Sequence, residues 1–575
     1  MVLAAVNAKY IHSSAAARAL SAYARAQDAP DFTVREFTIN QSAAYIAAAL
    51  FNMAPRAMFF SCYIWNISLI RRVARILRKT LPGVSIIFGG PEVSYEYEPL
   101  FAEADIIVIG EGERTFTRLL RHFANGEVAL ADIPGIAFMD GDAVRFTGYA
   151  APLSMSDLPF PYTDADMPAL AHQIVYYETS RGCPFDCQYC LSSATAGVRY
   201  RPLDMVLAEL AFFLRHGVRQ VKLIDRTFNC DAARALAICR FLTENDNGVT
   251  NFHFEVAAEL LDAPLVDLFR TARAGLFQLE IGVQSTNPST LSAIRRRGDF
   301  TRLSAAVRAI KEAGRTHLHL DLIACLPEED YAAFGRSFND VYALAPHKLQ
   351  LGFLKLLKGS GLRRDAARYG IVAEDDAPYE ALSTAVLPHA DVLRLRGVEN
   401  VLELFHNTGH FTRTLECLVP LFETPFSFHE ALAAFWTENG FEGFAHSRVQ
   451  MYSRLRAFCA EKCPDALPLI SDLLVYDMLS VDKAVLSGWM AACDADAAAA
   501  RRFYDNAAAV SAVAPHLAQY PSSRLHRMCC LTRFAYNPHS GAETETETYI
   551  LFDYHAPGGV QAHDVTAWLA VNEQA

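Results

Sequence analysis

Apolar strand-like runs alternate with helical periodicities twice along this chain, and that alternation restricts it to parallel α/β architecture. In the first series, strands are predicted over residues 2–6, 32–37, 57–62, 84–88 and 105–109, with helices over 13–25, 42–51, 68–80, 95–103 and 113–125. Five such units predict a doubly wound five-stranded parallel sheet, whose ligands bind outside the carboxyl ends of the strands. In the second series the strands fall at 174–179, 220–224, 252–256, 277–283, 317–323 and 348–354. Six βα units fit a partial (β/α)6 barrel, which carries its chemistry at the same strand ends. Between the two series, Pro152, Pro159, Pro161 and Pro168 predict an extended linker. Beyond residue 400 helical periodicity dominates, and a terminal β-hairpin pairs 528–536 with 544–554. The expected organisation is residues 1–135, a linker 136–170, the barrel 171–398 and a mostly helical C-terminal extension 399–575.

Composition narrows the class. Of 575 residues, 52% are hydrophobic, which supplies large cores. The net charge of −12 argues against nucleic acid held by bulk electrostatics. No apolar run approaches the ~20 residues of a membrane span, and residues 1–6 read as a strand rather than as a charged leader. A cytoplasmic protein with free thiols, no membrane partner and no nucleic-acid partner is expected.

The run Cys183-Pro-Phe-Asp-Cys187-Gln-Tyr-Cys190 follows the first strand of the second series. Three thiols can anchor three irons of a [4Fe-4S] cube and leave the fourth iron open, whereas structural metal sites are normally closed by protein ligands. Zinc would more often show two C-x2-C pairs, and no second pair exists.

This spacing resembles the radical SAM superfamily, in which the open iron chelates S-adenosylmethionine (SAM). The resemblance implies metal ligands Cys183, Cys187 and Cys190, with Tyr189 against the adenine. Glu280-Ile-Gly-Val-Gln-Ser285 is similar to the family's fourth-strand pattern, which implies SAM contacts from Glu280, Gly282, Gln284 and Ser285. Alternation along a strand puts Glu280, Gly282 and Gln284 on one face, and an inward carboxylate needs a partner or a ligand. Asp225-Arg-Thr-Phe228 stands where many relatives carry Gly-Gly-Glu, and Asp225 is expected to face the site. Arg181 is placed either against the cluster or on the surface. Asp321-Leu-Ile-Ala-Cys-Leu-Pro-Glu-Glu329 resembles a family motif with glycines at the positions of Cys325 and Glu328, so the Cys325 thiol either tightens the pocket or is simply tolerated.

The first series resembles the cobalamin-binding domain that precedes this core in many members. That implies a corrin over the strand ends and contacts from Asn7, Ser61, Tyr63, Gly89, Gly90, Gly110 and Glu111. Cobalamin mutases carry Asp-x-His-x-x-Gly after the first strand; here Asn7 and His12 stand at other spacing, and His12 is expected to be a helix-entry residue rather than a cobalt ligand. A nucleotide or flavin domain is the rival, but no G-x-G-x-x-G follows the first strand. The C-terminal extension resembles one found on a subgroup of these proteins. There, Cys459, Cys463, Cys493, Cys529 and Cys530 are expected to be buried free thiols rather than an auxiliary cluster, His406, His410, His526 and His555 structural or exposed, and the acidic run 543–547 a solvated strand face.

The implied cofactors are a [4Fe-4S] cluster, SAM and cobalamin. The implied reaction is reductive SAM cleavage and methyl transfer to an unactivated carbon of an unknown small molecule or peptide, with a one-electron reductant such as flavodoxin or ferredoxin. A radical SAM enzyme with a non-catalytic cobalamin domain, a methylthiotransferase and a non-catalytic cobalamin or redox sensor are the alternatives.

Overall fold

The computed structural model describes residues 1–194 and 197–570. These divide into two compact units, Met1–Val392 and Leu393–Ala575.

In the first unit, β1 (Val2–Asn7), β2 (Thr33–Thr38), β3 (Ala57–Ser61), β4 (Ser85–Gly89) and β5 (Ile106–Val108) form a parallel sheet in the order 2-1-3-4-5. Helices α1 (Ala15–Ala26) and α4 (Glu113–Asn125) cover one face; α2 (Ala43–Phe51) and α3 (Ile67–Thr80) cover the other. The cause is legible in α3, where Ile67, Ile70, Val73, Ala74 and Leu77 recur at helical spacing and are all buried. Both faces of β1 are covered, which explains why Val2 to Val6 are continuously apolar.

Three differences from expectation have local reasons. The sheet has seven strands among the described residues, because β6 (Ile136–Asp140) and β7 (Ala143–Phe146) add an antiparallel hairpin at its edge. Ile136 and Ala137 are buried while β7 is exposed, so only one end of this segment carries a strong apolar signal. The helix expected over 95–103 is a short 3-10 turn, Glu98–Ala102, with Pro99 at its start. The proline-rich segment holds turns at Met155–Asp157 and Asp164–Asp166 and a helical turn at Met167–Leu170, and its Leu153, Met155 and Leu158 pack against Tyr23 of α1.

The second sheet contains β8 (Val175–Tyr177), β11 (Gln220–Leu223), β12 (Asn251–Val256), β13 (Phe277–Gln284), β14 (His317–Ala324) and β15 (Lys348–Phe353). They lie parallel in sequence order, an open six-stranded partial barrel with β8 and β15 at its edges. A separate antiparallel pair, β9 (Ser180–Cys183) and β10 (Gly197–Tyr200), carries the first thiol. Gly182 adopts φ +99°, and a Cβ there would lie 2.1 Å from the Gly197 carbonyl oxygen, so this position requires glycine.

Arg201 anchors the linker to the barrel. It is 3% exposed, donates to both carboxylate oxygens of Glu209 at 2.5 and 2.8 Å, and donates to the Met155 and Leu158 carbonyls at 2.9 and 2.7 Å. Arg201→Met strands a buried carboxylate and two carbonyls, so a loss of about 3–5 kcal/mol is expected in urea denaturation.

In the second unit, helix Leu467–Val481 packs against Thr412–Leu418 and Arg448–Lys462. Buried Asp477 accepts from the backbone N–H groups of Arg413 and Thr414 at 3.1 and 2.8 Å and so caps the helix Thr412–Leu418. The expected hairpin is present as Cys529–Tyr536 with Glu543–Asp553, and Gln561–Asp564 adds a third antiparallel strand. Glu547 of the acidic run pairs with Arg533 at 3.0 Å; the side chains of Glu545 and Thr546 lie outside the described residues. Of the thiols expected to be buried, Cys459, Cys493 and Cys529 are, whereas Cys463 and Cys530 are only partly buried; Cys459 Sγ faces the Cys463 carbonyl at 3.5 Å and Cys493 Sγ faces Asp472 at 3.4 Å. His526 and His555 are exposed, whereas His406 and His410 are partly buried.

Candidate active site

The carboxyl ends of the barrel strands surround a cavity of about 210 Å³. Cys183, Cys187 and Cys190 line it together with Tyr189, Glu280, Gly282 and Gln284. Cys187 is 5% exposed, and burial raises its thiol pKa against the opposing effect of the nearby Arg296 guanidinium. Among the described residues, the three sulfurs are not a set gathered within 4.8 Å as the ligands of one ion would be. A cube takes each sulfur on a different iron, so this donor set fits a cluster better than a mononuclear metal.

On β13, a Cβ at Gly282 would lie 2.2 Å from Gln284 Nε2, and Gln284 itself has φ +70°. The missing side chain makes room for the Gln284 amide, which lines the cavity there. Arg296, which sequence reasoning missed, donates to the Gly282 carbonyl at 2.5 Å and stands 3.4 Å from the Tyr189 hydroxyl and 3.9 Å from Cys187 Sγ. It is one of three successive arginines, Arg295 to Arg297, and nothing in that run separates the inward one from its neighbours.

Several expected contacts fall elsewhere. Asp225 is 1% exposed and accepts from Thr179 N at 2.7 Å, Ser180 N at 3.1 Å and the Thr179 hydroxyl, so it braces the strand that leads to the thiols instead of facing the cavity. Ser285 donates to Glu329 at 2.6 Å and is buried away from the cavity. Glu280 does line it, but its carboxylate already meets Lys222 Nζ at 2.7 Å and His253 Nε2 at 2.9 Å; burial works the other way, yet these partners hold its pKa well below the usual carboxylate range. Cys325 and Glu328 have φ of +68° and +60°, which explains the glycines of the motif they resemble. The Cys325 thiol is buried, 4.0 Å from the Ala381 carbonyl, and does not line the cavity.

Burial lifts the Glu329 carboxyl to about 7, although Ser285 and Ser337 donate to it. A raised carboxyl favours the native state fully below its unfolded value, and that contribution is lost as pH rises through about 7. The melting temperature of the native chain should therefore fall, relative to Glu329→Gln, between about pH 5 and about pH 8.

A second cavity, of about 330 Å³, opens at the carboxyl ends of β3, β4 and β5. Ser61, Tyr63, Gly89, Gly90, Gly110 and Glu111 line its mouth, and Ala15, Ala16, Ala19 and Leu20 of α1 line a slot that runs down beside the sheet. A Cβ at Gly90 (φ +122°) would lie 2.4 Å from the Cys62 carbonyl, so the backbone turn there needs glycine. Tyr63 stacks on Trp65 at 4.3 Å. Asn7 is absent from this lining and instead donates to Glu36 at 2.8 Å. His12 lies 2.6 Å from the Tyr176 hydroxyl, outside the cavity. Arg181 pairs with Glu113 at 2.5 Å, Glu178 at 2.8 Å and Glu111 at 3.3 Å and belongs to this cavity, not to the thiols.

Three family models match successive parts of the chain: the B12 binding domain over residues 1–120, the radical SAM superfamily over 177–341 and a protein of unknown function (DUF4080) over 367–552. The chain is 28% identical over 319 residues to the 2-(S-pantetheinyl)-carbapenam-3-carboxylate methyltransferase of Streptantibioticus cattleyicolor and 26% identical over 317 residues to the cobalamin-dependent radical SAM methyltransferase TokK of Streptomyces tokunonensis. Each match covers 50% of this chain and 44% of the relative, so the chain spans less than half the length of either. Among solved structures, the cobalamin-dependent SAM radical enzyme OxsB with aqua-cobalamin bound has a TM-score of 0.59 at 15% identity, covering 83% of this chain and 80% of that one. TsrM from Kitasatospora setae, with cobalamin and a [4Fe-4S] cluster bound, has a TM-score of 0.52 at 16% identity, covering 66% and 78%. These two likenesses concern the fold alone. With the first sheet, the barrel and the C-terminal region each matched in turn, the chain belongs to the cobalamin-binding radical SAM proteins that carry this C-terminal region of unknown function.

Proposed function

We propose that this chain is a cobalamin-dependent radical SAM enzyme that transfers a methyl group to a carbon of a small molecule or peptide. The observation that carries the reading is a single segment serving two cavities: residues 176–178 and Arg181 line the slot, and Cys183, Cys187 and Cys190 line the thiol cavity. When bound, the cluster with SAM supplies a carbon radical and cobalamin supplies the methyl group. Cys183, Cys187 and Cys190 would hold three irons of the cluster. Tyr189, Gly282 and Gln284 form the SAM wall, and Arg296 sets a partly buried cation beside it. The glycine-rich strand ends and the small face of α1 admit the corrinoid and exclude water from the space it fills. A one-electron donor such as flavodoxin or ferredoxin supplies the reductant.

Anaerobic reconstitution should load about four irons per chain and one corrinoid, and SAM with reductant should yield methionine and 5′-deoxyadenosine. Corrinoid uptake without SAM cleavage overturns the enzyme assignment; SAM cleavage without corrinoid uptake overturns the cobalamin part.

A further inference from the structure

The inner face of the six-stranded sheet gathers side chains that the thiol site does not require. Glu280 of β13 and His319 and Asp321 of β14 place one ligand atom each within 4.8 Å of one another. His253 of β12 touches one member of this set, its Nε2 2.9 Å from Glu280 Oε2, while His319 Nε2 lies 3.0 Å from Asp321 Oδ1. Strand register produces this convergence. Glu280 is paired with His319, Gly282 with Asp321 and His253 with Gln278, so alternation turns all four side chains to one face.

Both contacts are at ion-pair distance, and in neither is a ring N–H aligned on the oxygen. His253 Nε2, His319 Nε2 and Asp321 Oδ1 are each buried without a hydrogen-bond partner, and both imidazoles are 8% exposed. Buried polar atoms are normally satisfied, and two orphans within one convergent set, His319 Nε2 and Asp321 Oδ1, require an explanation. A nitrogen and an oxygen about 3 Å apart with no hydrogen aligned between them have the spacing of two ligands on one ion. At metal–ligand distances of about 2.1 Å and angles of about 90–110°, neighbouring ligands lie about 3.0–3.4 Å apart.

We propose that Glu280, His319 and Asp321 bind one divalent transition-metal ion inside the barrel, at ligands other than the three thiols. One imidazole with two carboxylates suits Zn²⁺, Fe²⁺ or Mn²⁺. Lys222, paired in register with His253 and so on the same inner face, stands 2.7 Å from Glu280 Oε2 and orients that carboxylate. Because Glu280 and Asp321 also line the thiol cavity, the ion stands in the wall of that cavity and offers a chelating point for an amine or carboxylate held there.

The test uses the full chain with Cys183, Cys187 and Cys190 changed to serine, so that no iron–sulfur cluster competes, titrated anaerobically with Co²⁺ alone. The expected result is one saturable equivalent with the d–d bands of nitrogen and oxygen ligation, no thiolate charge-transfer band, and displacement by Zn²⁺. His319→Gln and Asp321→Asn should each weaken binding by about tenfold or more, with unchanged circular dichroism; if one of them fails to fold, Glu280→Gln replaces it. No saturable binding, or binding that both substitutions leave untouched, overturns the site. Neither result bears on whether the three thiols hold a cluster.

Discussion

Cys187→Ala is expected to leave the anaerobically reconstituted chain without iron–sulfur absorbance, and bound iron should drop from about four atoms per chain toward none. Two thiolates cannot hold a cube in which three irons each depend on a protein sulfur. Cys187 is the most enclosed of the three, 5% exposed and beside Arg296, so no solvent ligand can easily replace it. SAM cleavage should vanish with the iron. Corrinoid binding should survive, because the first sheet has its own cores on both faces. Iron and sulfide assays with a corrinoid titration check both halves, and retention of a full cluster would sink the three-thiol assignment.

Ala19→Trp is expected to do the reverse. Ala15, Ala16, Ala19 and Leu20 share one face of α1 and line the slot beside the sheet. Ala19 is only partly buried, so an indole has somewhere to go: into the slot rather than the core. Corrinoid affinity should fall ~100-fold or more, matching about 3 kcal/mol of overpacking, while iron content and SAM binding persist. Unchanged corrinoid affinity would show that the corrinoid does not enter here.

The parts of this molecule that repeat a period were legible in the sequence. Both parallel sheets followed from apolar runs, because strands covered on both faces leave little room for polar residues. The hairpin β6–β7 escaped because its outer strand is only four residues long and exposed. At the site, the thiol spacing is local and therefore readable, whereas side-chain direction is not. Asp225 and Arg181 sit within a few residues of cavity-lining positions, yet backbone N–H groups claim the first and three glutamates claim the second. Arg296 reaches the thiols across more than one hundred residues of chain, a meeting that only the folded sheet makes. The same holds for His253 beside Glu280, since strand register rather than sequence distance brings them together.

The shared segment of residues 176–190 makes one short ribbon the common wall of two chambers. Its path is pinned by Asp225 below and by the glutamates around Arg181 above. The distance between whatever occupies the two chambers is therefore set by covalent spacing and not by the docking of separate lobes. Filling one chamber should stiffen the margin of the other, so the order in which the cofactors are loaded should leave its mark on how fast the second one enters.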